Sequence, residues 1–438
     1  MDWKSLLSAQ REYREYQKSD IRNAFQRDYD RIIFSNIFRR LQNKTQVFPL
    51  PGSKMVHNRL THSLEVASVG RSIAKIVAKG LCDKYGNDLL NEIYDIDTIV
   101  SAACLAHDLG NPPFGHSGEE TISSYFKEGP GKELEKLIPD YQWSDLTSFE
   151  GNANAFRLLT HQFNGRRNGG YVLTYSTLAS IIKYPYPSTE AKSKAKFGYF
   201  KSETESYNKI ANELGIKADP DDPKRHMRHP LVFLVEAADD ICYQIMDIED
   251  AYKLRILSLK QTTDLLMRFI PTAKHDYTQK VCQLVSDPNE QVAYLRSATI
   301  GNLIEACSNT FLKHEEEILS GKLHIPLIKL IPEYLKEAYE ECVNTAVASI
   351  YCAPMVLDIE LAGYKIISTL LEELTLAITS PNSNYSKQLL KRIPSQYEIT
   401  SPDMYGRVQA ILDYISGMTD IYALDLYRKI TGMSLPSL

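Results

Sequence analysis

The chain has 438 residues, enough for one large domain or for two to three ordinary domains with well-buried cores. A hydrophobic content of 43% and a net charge of −5 are typical of a globular protein and exclude an overall attraction to nucleic acid or to an anionic membrane. There is no long apolar run, no signal-peptide core and no C-x-x-C pair among the seven cysteines, so we expect a reduced, cytoplasmic protein with no membrane contact.

Helical periodicity dominates the chain. "VEAADDICYQIMDIEDAYKLRILSLKQTTDLLMRFI" and "ECVNTAVASIYCAPMVLDIELAGYKIISTLLEELTLAIT" repeat apolar residues at steps of three and four. The strand candidates are short: "TQVFPL", which leads into a "PGS" turn, and "GYVLTY" at 170–175. We therefore predict a mainly α fold with at most a small β-hairpin, and a lysine-rich surface loop at 184–205.

The N-terminal block "RDYDRIIFSNIFRRLQNK" combines aromatic and basic residues. Phe34, Phe38 and Leu41 follow helical spacing, which predicts that they pack in the core. The arginines have three interpretations that the sequence leaves open: pairing with local acids, a nucleic-acid patch, or a contact with an effector or another subunit.

Two histidines lie on the apolar faces of the next two helices. In "THSLEVASVGRSIAKIV", the apolar stripe from Val66 to Ile76 begins with His62 on the same face. In "DIDTIVSAACLAHD", the stripe ends in His107, directly before Asp108. One such histidine alone is more often a hydrogen-bonded core residue than a ligand.

The turn "LGNPPFGHSGEE" follows this pair. Ser117 and Glu120 have the spacing of a capping box, so we predict that a helix begins at Ser117. His116 would then stand just ahead of the helix, with Glu119 close enough to orient its ring. Backbone N–H groups at this helix end would favour a bound phosphate.

A third helix, in "PLVFLVEAADDICYQIMDIED", continues its apolar stripe into Asp239, Tyr243 and Asp247. A buried, unpaired carboxylate is costly and needs a cation or hydrogen-bond donors. Asp240 lies about 100° round the helix, so we take Asp239 as the inward carboxylate. Together with the histidines, aspartates make a mixed nitrogen and oxygen ligand set that suits Mn, Fe, Zn or Mg.

The order H, then HD, then D on successive helices is similar to that of the HD metal-dependent phosphohydrolase superfamily. Several longer blocks, spread over residues 22–423, resemble the deoxyguanosine triphosphate triphosphohydrolase (dGTPase) family: "RNAFQRDYDRIIFSNIFRRLQNKTQVFPL", "HNRLTHSLEVASVGRSIA", "AACLAHDLGNPPFGHSGE", "FEGNANAFRLL", "IIKYPYP", "EAADDICYQIMDIEDA" and "DYISGMTDIYA". The resemblance implies an HD-domain helical core at 1–260 that includes the N-terminal helices. It also implies an additional C-terminal helical region at 261–438, packed on the core and completing the site and the oligomer contacts.

The resemblance also implies the chemistry of the site. The metal would be Mn²⁺ or Mg²⁺, with Fe or Zn as alternatives, and the four ligands would be His62, His107, Asp108 and Asp239. The family's catalytic histidine and glutamate fall on His116 and Glu119. The sequence leaves open whether His116 acts as an acid or as a base.

The implied reaction is metal-dependent hydrolysis of a deoxynucleoside triphosphate, with dGTP preferred, to the deoxynucleoside and inorganic triphosphate, in control of dNTP pools. Six substrate contacts follow from the resemblance: Arg59, Lys183 and Tyr184 on the phosphates, Tyr243 and Asp247 on the sugar, and Gln46 near the sugar and base. The ring of Tyr243 would crowd out a ribose 2′-OH, and Asp247 would accept a hydrogen bond from the 3′-OH.

Two alternatives to this function stay open. One is an HD phosphohydrolase that acts on another nucleotide, such as a broad range of dNTPs, a monophosphate or a cyclic nucleotide. The other is an oligomer that senses nucleotides or single-stranded DNA. Similar proteins form tetramers or hexamers, so we expect a homo-oligomer. A nucleotide effector and single-stranded DNA are open as further partners.

Overall fold

The computed structural model describes residues 1–13, 21–48, 56–86, 93–191 and 196–434. Within these ranges the regular structure is helical, and strand-like pairing is limited to isolated bridges such as the one between Thr45 and Asn58. The predicted mainly α class is therefore confirmed.

The α-helices up to residue 253 are α1 (Trp3–Leu6), α2 (Ala24–Ile33), α3 (Asn36–Arg40), α4 (Arg59–Tyr85), α5 (Ile96–Ala106), α6 (Gly115–Lys127), α7 (Asp140–Thr147), α8 (Gly151–Thr160), α9 (Tyr175–Ile181), α10 (Thr204–Glu213) and α11 (Val232–Lys253). Beyond it they are α12 (Leu259–Met267), α13 (His275–Leu284), α14 (Pro288–Lys313), α15 (Glu315–Leu319), α16 (Glu333–Thr345), α17 (Pro354–Thr379), α18 (Asn384–Leu390), α19 (Met404–Ser416) and α20 (Asp420–Ile430). The 3₁₀ turns are Leu41–Asn43, Pro130–Leu137, Ser188–Glu190, Lys201–Glu203, Thr272–Lys274 and Leu327–Lys329, and a π-helical turn, Ala346–Ile350, follows α16.

Helix α5 lies at the centre of the fold because it is apolar on every side. Each residue from Ile99 to Ala106 is buried, and α2, α4, α9 and α11 pack around the helix. A Cβ at Gly70 of α4 would lie 2.5 Å from the Cys104 sulfur, so only glycine allows α4 to approach α5 this closely. Because Gly70 has no side chain, α4 packs closely against α5. The polar groups of the surrounding helices thereby come together near one end of α5.

The start of α4 is determined by a local cap. The Asn58 side chain accepts a hydrogen bond from the Thr61 N–H, and the Thr61 hydroxyl accepts one from the Asn58 N–H. This reciprocal pair satisfies two backbone donors and makes Arg59 the first helical residue. His62 therefore lies in the first turn, where it is buried.

Neither strand candidate forms a strand in the described residues. At 170–175, Gly170 and Val172 have positive φ angles, and only Thr174 makes a bridge, to Arg11. This strand prediction is wrong because the segment is a turn that leads directly into α9. In "TQVFPL" the last two residues, with the "PGS" turn, lie outside the described residues.

Three predictions of exposure are also wrong. Phe34 is 71% exposed and Ile76 is 37% exposed, although both follow an apolar helical pattern. Conversely, the segment at 184–205 is only partly on the surface, because Phe197 and Phe200 are fully buried. Periodicity identifies a helix face but does not show which neighbouring element covers it.

The C-terminal helices reach the loop that follows α5. Helix α17 packs on α6, and Gly363 of α17 accommodates the ring of Phe114, which a Cβ would approach to 2.7 Å. The buried carboxylate of Asp420, in α20, accepts hydrogen bonds from the Phe114 N–H at 3.0 Å and from the Thr45 N–H at 2.8 Å. The division near residue 260 stays a prediction, since helices from both sides of it pack together.

Among the described helices, none alone has the length and apolar composition needed to cross a bilayer. The bent pair Glu333–Ile350 and Pro354–Thr379, with 71° between its members, meets that criterion only when the two are taken together.

We expect Asp420→Ala to lower the free energy of unfolding by about 3 kcal/mol, because it leaves the Thr45 and Phe114 N–H groups buried without an acceptor. Chemical denaturation of both proteins measures this. Asp425→Ala, on the same helix but 47% exposed, is the control and should change stability by less than about 0.5 kcal/mol. An equal loss of stability in Asp420→Ala and Asp425→Ala would contradict the role assigned to the Asp420 carboxylate.

Candidate active site

Side chains from three helical segments meet at one end of α5. His62 is on α4, His107 directly follows α5, and Asp239 is on α11; one donor atom of each lies within 4.8 Å of the others. Asp239 Oδ1 is 3.0 Å from His62 Nε2 and 3.4 Å from His107 Nε2. Burial would raise the pKa of Asp239, but His107 and His62 hold it well below its usual range. A carboxylate anion therefore lies between two imidazoles.

The orientation of His107 suits a metal ligand. Its Nδ1 donates to the Cys104 carbonyl oxygen at 2.6 Å, which leaves the lone pair on Nε2. Nε2 is buried and makes no hydrogen bond. Burial would lower the pKa of His107, but Asp108 and then Asp239 raise it to about 9, so protons compete with a cation for this nitrogen. These residues fit a divalent metal ion.

Asp108, the fourth predicted ligand, lies beside the cluster rather than in it. Its Oδ1 is 3.7 Å from His107 Nε2. Its Oδ2 accepts a hydrogen bond from Arg59 Nη1 at 2.7 Å, and Asn111 donates to its Oδ1 at 2.5 Å. Burial would raise the pKa of Asp108, but Arg59 and the nearby histidines lower it. The structure thus brings three of the four predicted ligands together and pairs the fourth with Arg59.

Asp240 is not part of the metal-ligating group. The charges nearest to its carboxyl group include Lys183, Glu236 and Asp239. Burial raises its pKa to about 7, against the effect of Lys183. Of the two adjacent aspartates, Asp239 alone contributes to the metal-ligating group found among the described residues.

His116 and Glu119 form a hydrogen-bonded pair near the cluster. Glu119 Oε2 accepts from His116 Nδ1 at 2.9 Å; the carboxylate is buried, whereas the His116 side chain is 73% exposed. The hydrogen bond and charge of Glu119 raise the pKa of His116. Since Nδ1 is engaged by Glu119, Nε2 is the nitrogen available to exchange a proton with a ligand.

The predicted capping box in this segment is wrong. Helix α6 begins at Gly115, two residues before Ser117, and the residue before it, Phe114, has a φ of 63°. The Ser117 hydroxyl donates instead to the Glu360 carbonyl oxygen of α17, and Glu120 is exposed. His116 therefore lies within the first turn of α6, because contacts with α17 and α20 determine where the helix starts.

Glu119 is held by groups that the sequence analysis did not assign. Its Oε1 accepts a hydrogen bond from the Gly151 N–H, the first residue of α8, at 2.9 Å. Lys196 Nζ lies 3.8 Å from Glu119 Oε2 and 2.7 Å from Glu150 Oε2. The buried glutamate is thus fixed in position and remains ionised, which lets it orient His116.

A cavity of about 240 Å³ joins the two groups. Five of the six predicted substrate contacts line it: Gln46, Arg59, Lys183, Tyr184 and Tyr243. His107, Asp108, Asp239, His116 and Glu119 line the same cavity. The Gln46 side-chain oxygen is buried without a hydrogen-bond partner, and Lys183 Nζ is 3.0 Å from Glu236 Oε1.

Asp247 does not line this cavity. Its Oδ2 accepts a hydrogen bond from the Tyr351 hydroxyl at 2.8 Å, and the rings of Tyr351 and Tyr243 lie 6.4 Å apart. Burial raises the pKa of Asp247 to about 8. Tyr351 comes from the short link between the π-helical turn and α17, more than 100 positions along the chain, so local sequence patterns did not indicate it.

Other residues near the site were missed for similar reasons. Glu150 lies in "FEGNANAFRLL", a block whose individual residues received no role. Lys196 lies in the lysine-rich segment that was interpreted as surface. Glu236 is one turn before Asp240 on α11, where its carboxylate pairs with Lys183 and with Arg228 at 2.6 Å. The one available signal was the acidic residue within "VFLVEAA", the apolar start of this helix.

Comparison with known proteins gives consistent matches. Residues 59–184 match the HD domain, and residues 331–429 match a phosphohydrolase-associated domain. "Deoxyguanosinetriphosphate triphosphohydrolase-like" proteins of a Synechocystis species and of Pseudomonas aeruginosa are each 36% identical, over 99% and 100% of this chain and 100% of their own lengths. A protein of Salmonella arizonae named "deoxyguanosinetriphosphate triphosphohydrolase" is 31% identical over 99% of both chains.

A helical chain with this domain match and a histidine–aspartate cluster at the end of its central helix is an HD-domain phosphohydrolase. The similarity to these relatives extends over the full length of the chain, so the family can be named as well as the class. The chain belongs to the deoxyguanosinetriphosphate triphosphohydrolase family.

We expect Asp239→Ala to weaken Mn²⁺ binding by more than about 100-fold, because it removes the only carboxylate oxygen that lies between the two imidazoles among the described residues. Equilibrium dialysis followed by metal analysis measures this. Asp240→Ala, the adjacent position on α11, is the matched control and should bind Mn²⁺ as the unmodified protein does. The reverse result would show that the ligand is Asp240.

We expect Glu119→Gln to lower the pKa of His116, because the carboxylate that stabilises the imidazolium is removed. The raised pKa means that the pair stabilises the folded state below the ordinary histidine pKa, and that this contribution is lost as pH rises through the raised value. NMR titration of labelled histidines measures the shift. Glu120→Gln, exposed on the same helix, should leave the titration unchanged; a shift there instead would refute the pairing.

Proposed function

We propose that the protein hydrolyses deoxynucleoside triphosphates, with dGTP preferred, to the deoxynucleoside and inorganic triphosphate. The observation that supports this most directly is a single cavity lined by His107 and Asp239 of the metal-ligating group, by the His116–Glu119 pair and by the cations Arg59, Lys183 and Lys196. A triphosphate needs this combination of positive charge and a proton donor. Control of cytoplasmic dNTP pools is the role that such a reaction serves.

His62, His107 and Asp239, joined by Asp108, would hold Mn²⁺ or Mg²⁺, with Fe or Zn as alternatives. When bound, the ion would polarise an α-phosphate oxygen and lower the pKa of a bound water. Arg59 and Lys183 would bind phosphate oxygens in place of some of their present carboxylate partners. These partners hold each cation in position before substrate arrives.

His116 would act as the general acid. The raised pKa supports this role over that of a base, since it favours the protonated imidazole near neutral pH. As a water oxygen bonds to the α-phosphorus and loses a proton to solvent, the bond to the 5′ oxygen would break and the Nε2 proton of His116 would transfer to that 5′ oxygen. Glu119 would stabilise the imidazolium before this transfer and orient its ring.

Tyr243 and Asp247 would bind the deoxyribose, with Tyr184 near the phosphates and Gln46 near the sugar and base. The Tyr351 hydroxyl donates a hydrogen bond to one carboxylate oxygen of Asp247. A sugar 3′-OH would donate to the other oxygen, while the Tyr243 ring would leave no room for a 2′-OH. This arrangement would favour deoxynucleotides over ribonucleotides.

We also infer that the protein works as a homo-oligomer, a tetramer or a hexamer. The first half of α17 exposes Leu357, Leu361 and Tyr364, which form an apolar surface beside α6. A nucleotide effector and single-stranded DNA remain hypotheses for further partners.

Product analysis tests the proposal. The four dNTPs, singly and in mixtures with Mn²⁺ or Mg²⁺, should yield inorganic triphosphate, fastest from dGTP, and a chelator should stop the reaction. His116→Ala should reduce turnover by about 10² to 10⁴-fold while still binding Mn²⁺, whereas His324→Ala, outside the cavity, should be unaffected. Orthophosphate as the product would favour another nucleotide reaction, and binding without turnover would favour a sensor.

A further inference from the structure

Lys44 is a buried lysine to which the proposed function gives no role. It is 2% exposed, and the two hydrogen bonds that its Nζ makes among the described residues go to backbone carbonyl oxygens rather than to carboxylates. Burial lowers the pKa of Lys44 to about 7, although Asp420 acts in the opposite direction. An apolar side chain of similar length would fill this space without the cost of a buried charge. The two hydrogen bonds are therefore the feature that requires a lysine here.

One of these hydrogen bonds caps a helix. Lys44 Nζ donates to the Ser416 carbonyl oxygen at 2.7 Å, and Ser416 is the last residue of α19. The last carbonyl groups of a helix lack partners within the helix, and the negative end of the helix dipole favours a cation there. Arg40 donates in the same way to the Gly417 carbonyl oxygen at 3.1 Å. Lys44 is thus anchored to the C-terminal region of the chain.

The other hydrogen bond holds the turn that follows α5. Lys44 Nζ donates to the Asn111 carbonyl oxygen at 2.5 Å. The same turn packs against α8, because the Gly110 carbonyl oxygen accepts a hydrogen bond from Asn154 Nδ2 at 2.7 Å. A Cβ at Gly110 would lie only 2.0 Å from the Gly151 carbonyl oxygen, so the turn has no room to move toward α8. Lys44 and α8 together fix the position of this turn.

The Asn111 side chain orients Asp108. Its Nδ2 donates to Asp108 Oδ1 at 2.5 Å, and Arg59 Nη1 donates to Oδ2 at 2.7 Å. A carboxylate oxygen has a second lone pair, so Oδ1, which lies 3.7 Å from His107 Nε2, can still bind an ion. The Lys44 carbonyl oxygen accepts a hydrogen bond from the Arg59 N–H at 3.3 Å. Both residues that bind the Asp108 carboxylate are therefore in contact with Lys44.

We propose that Lys44 is a positioning residue for the metal site, which it serves by holding Asn111 so that the Asn111 amide orients Asp108 as the fourth ligand. Removing a group that holds a metal ligand from outside typically weakens metal binding about 10- to 100-fold. The inference rests on the proposed function only in that Asp108 joins the metal site, and it does not depend on which nucleotide is hydrolysed. Through Ser416, the same side chain connects the C-terminal region to that site.

Mn²⁺ binding by the full chain, measured by equilibrium dialysis, tests the proposal. Lys44→Met keeps the approximate length of the side chain but removes its donors, and it should weaken Mn²⁺ binding at least about tenfold. Glu315→Ala is the matched control, because this buried carboxylate accepts hydrogen bonds from Trp3 at 2.7 Å and from Tyr85 at 2.8 Å. Tyr85 is at the opposite end of α4 from His62, so the control should lower stability without changing Mn²⁺ affinity. Unchanged Mn²⁺ binding in Lys44→Met, or an equal weakening in Glu315→Ala, would overturn the proposal.

A double-mutant cycle tests the route through Asn111. Asn111→Ala alone should weaken Mn²⁺ binding, because it removes the amide that orients Asp108. Adding Asn111→Ala to Lys44→Met should cause little further loss, because both changes release the same carboxylate. Additive losses in the double variant, or unchanged Mn²⁺ binding in Asn111→Ala, would overturn the proposal.

A failure of the proposed metal site is distinguishable from a failure of this inference. Absence of Mn²⁺ binding to the unmodified protein would overturn both, whereas Mn²⁺ binding that the Lys44 variant leaves unchanged would overturn the inference alone. If Lys44→Met does not fold, Lys44→Gln replaces it in each comparison. The shorter glutamine side chain cannot reach both carbonyl oxygens, so it should weaken Mn²⁺ binding as well, and unchanged binding there would overturn the proposal.

Discussion

The Asp239 carboxylate, held between two imidazoles, is the interaction on which the rest of the site depends. The Asp239 side chain is 34% exposed, and the two histidines that approach its carboxylate come from other helical segments and stabilise its negative charge. This is possible only because α5 is apolar all round and because Gly70 lets α4 lie close against it. The packing of the core and the geometry of the site therefore depend on the same distances between helices. Distances that allow close packing also bring the ligand atoms of His62, His107 and Asp239 within reach of a single ion.

The conformation of the loop after α5 depends on a second set of contacts, which the C-terminal helices α17 and α20 supply. Phe114 adopts a left-handed backbone conformation, which costs of order 1–3 kcal/mol for a residue other than glycine. Asp420 accepts its N–H and Gly363 makes room for its ring, so the C-terminal helices stabilise this strained residue. The start of α6, and with it the direction of His116, follows from these contacts. The C-terminal region thus positions the His116–Glu119 pair, although none of its described residues lines the cavity.

Charges in the candidate active site are arranged as pairs rather than as a positive patch. Arg59 pairs with Asp108, Lys183 with Glu236, and Lys196 bridges Glu119 and Glu150. Such pairs keep the long side chains in place and balance the charge of the cavity before a ligand binds. A highly charged anion would enter by exchanging carboxylate partners for its own oxygens.

Much of this could be predicted from the sequence alone. Helical periodicity identified the fold class and the inward faces of α4, α5 and α11, because a repeat of 3.6 residues places His62 and Asp239 among apolar neighbours. The capping box at Ser117 and the core position of Phe34 were wrong, since both depended on what packs against the segment. A local sequence pattern shows on which face of a helix a residue lies, but it does not show which other residue contacts it. Tertiary structure decided the partners: Asp108 with Arg59, Glu119 with Gly151, Asp247 with Tyr351. These contacts join residues far apart in the chain, and only the packing of the helices determines which side chains meet.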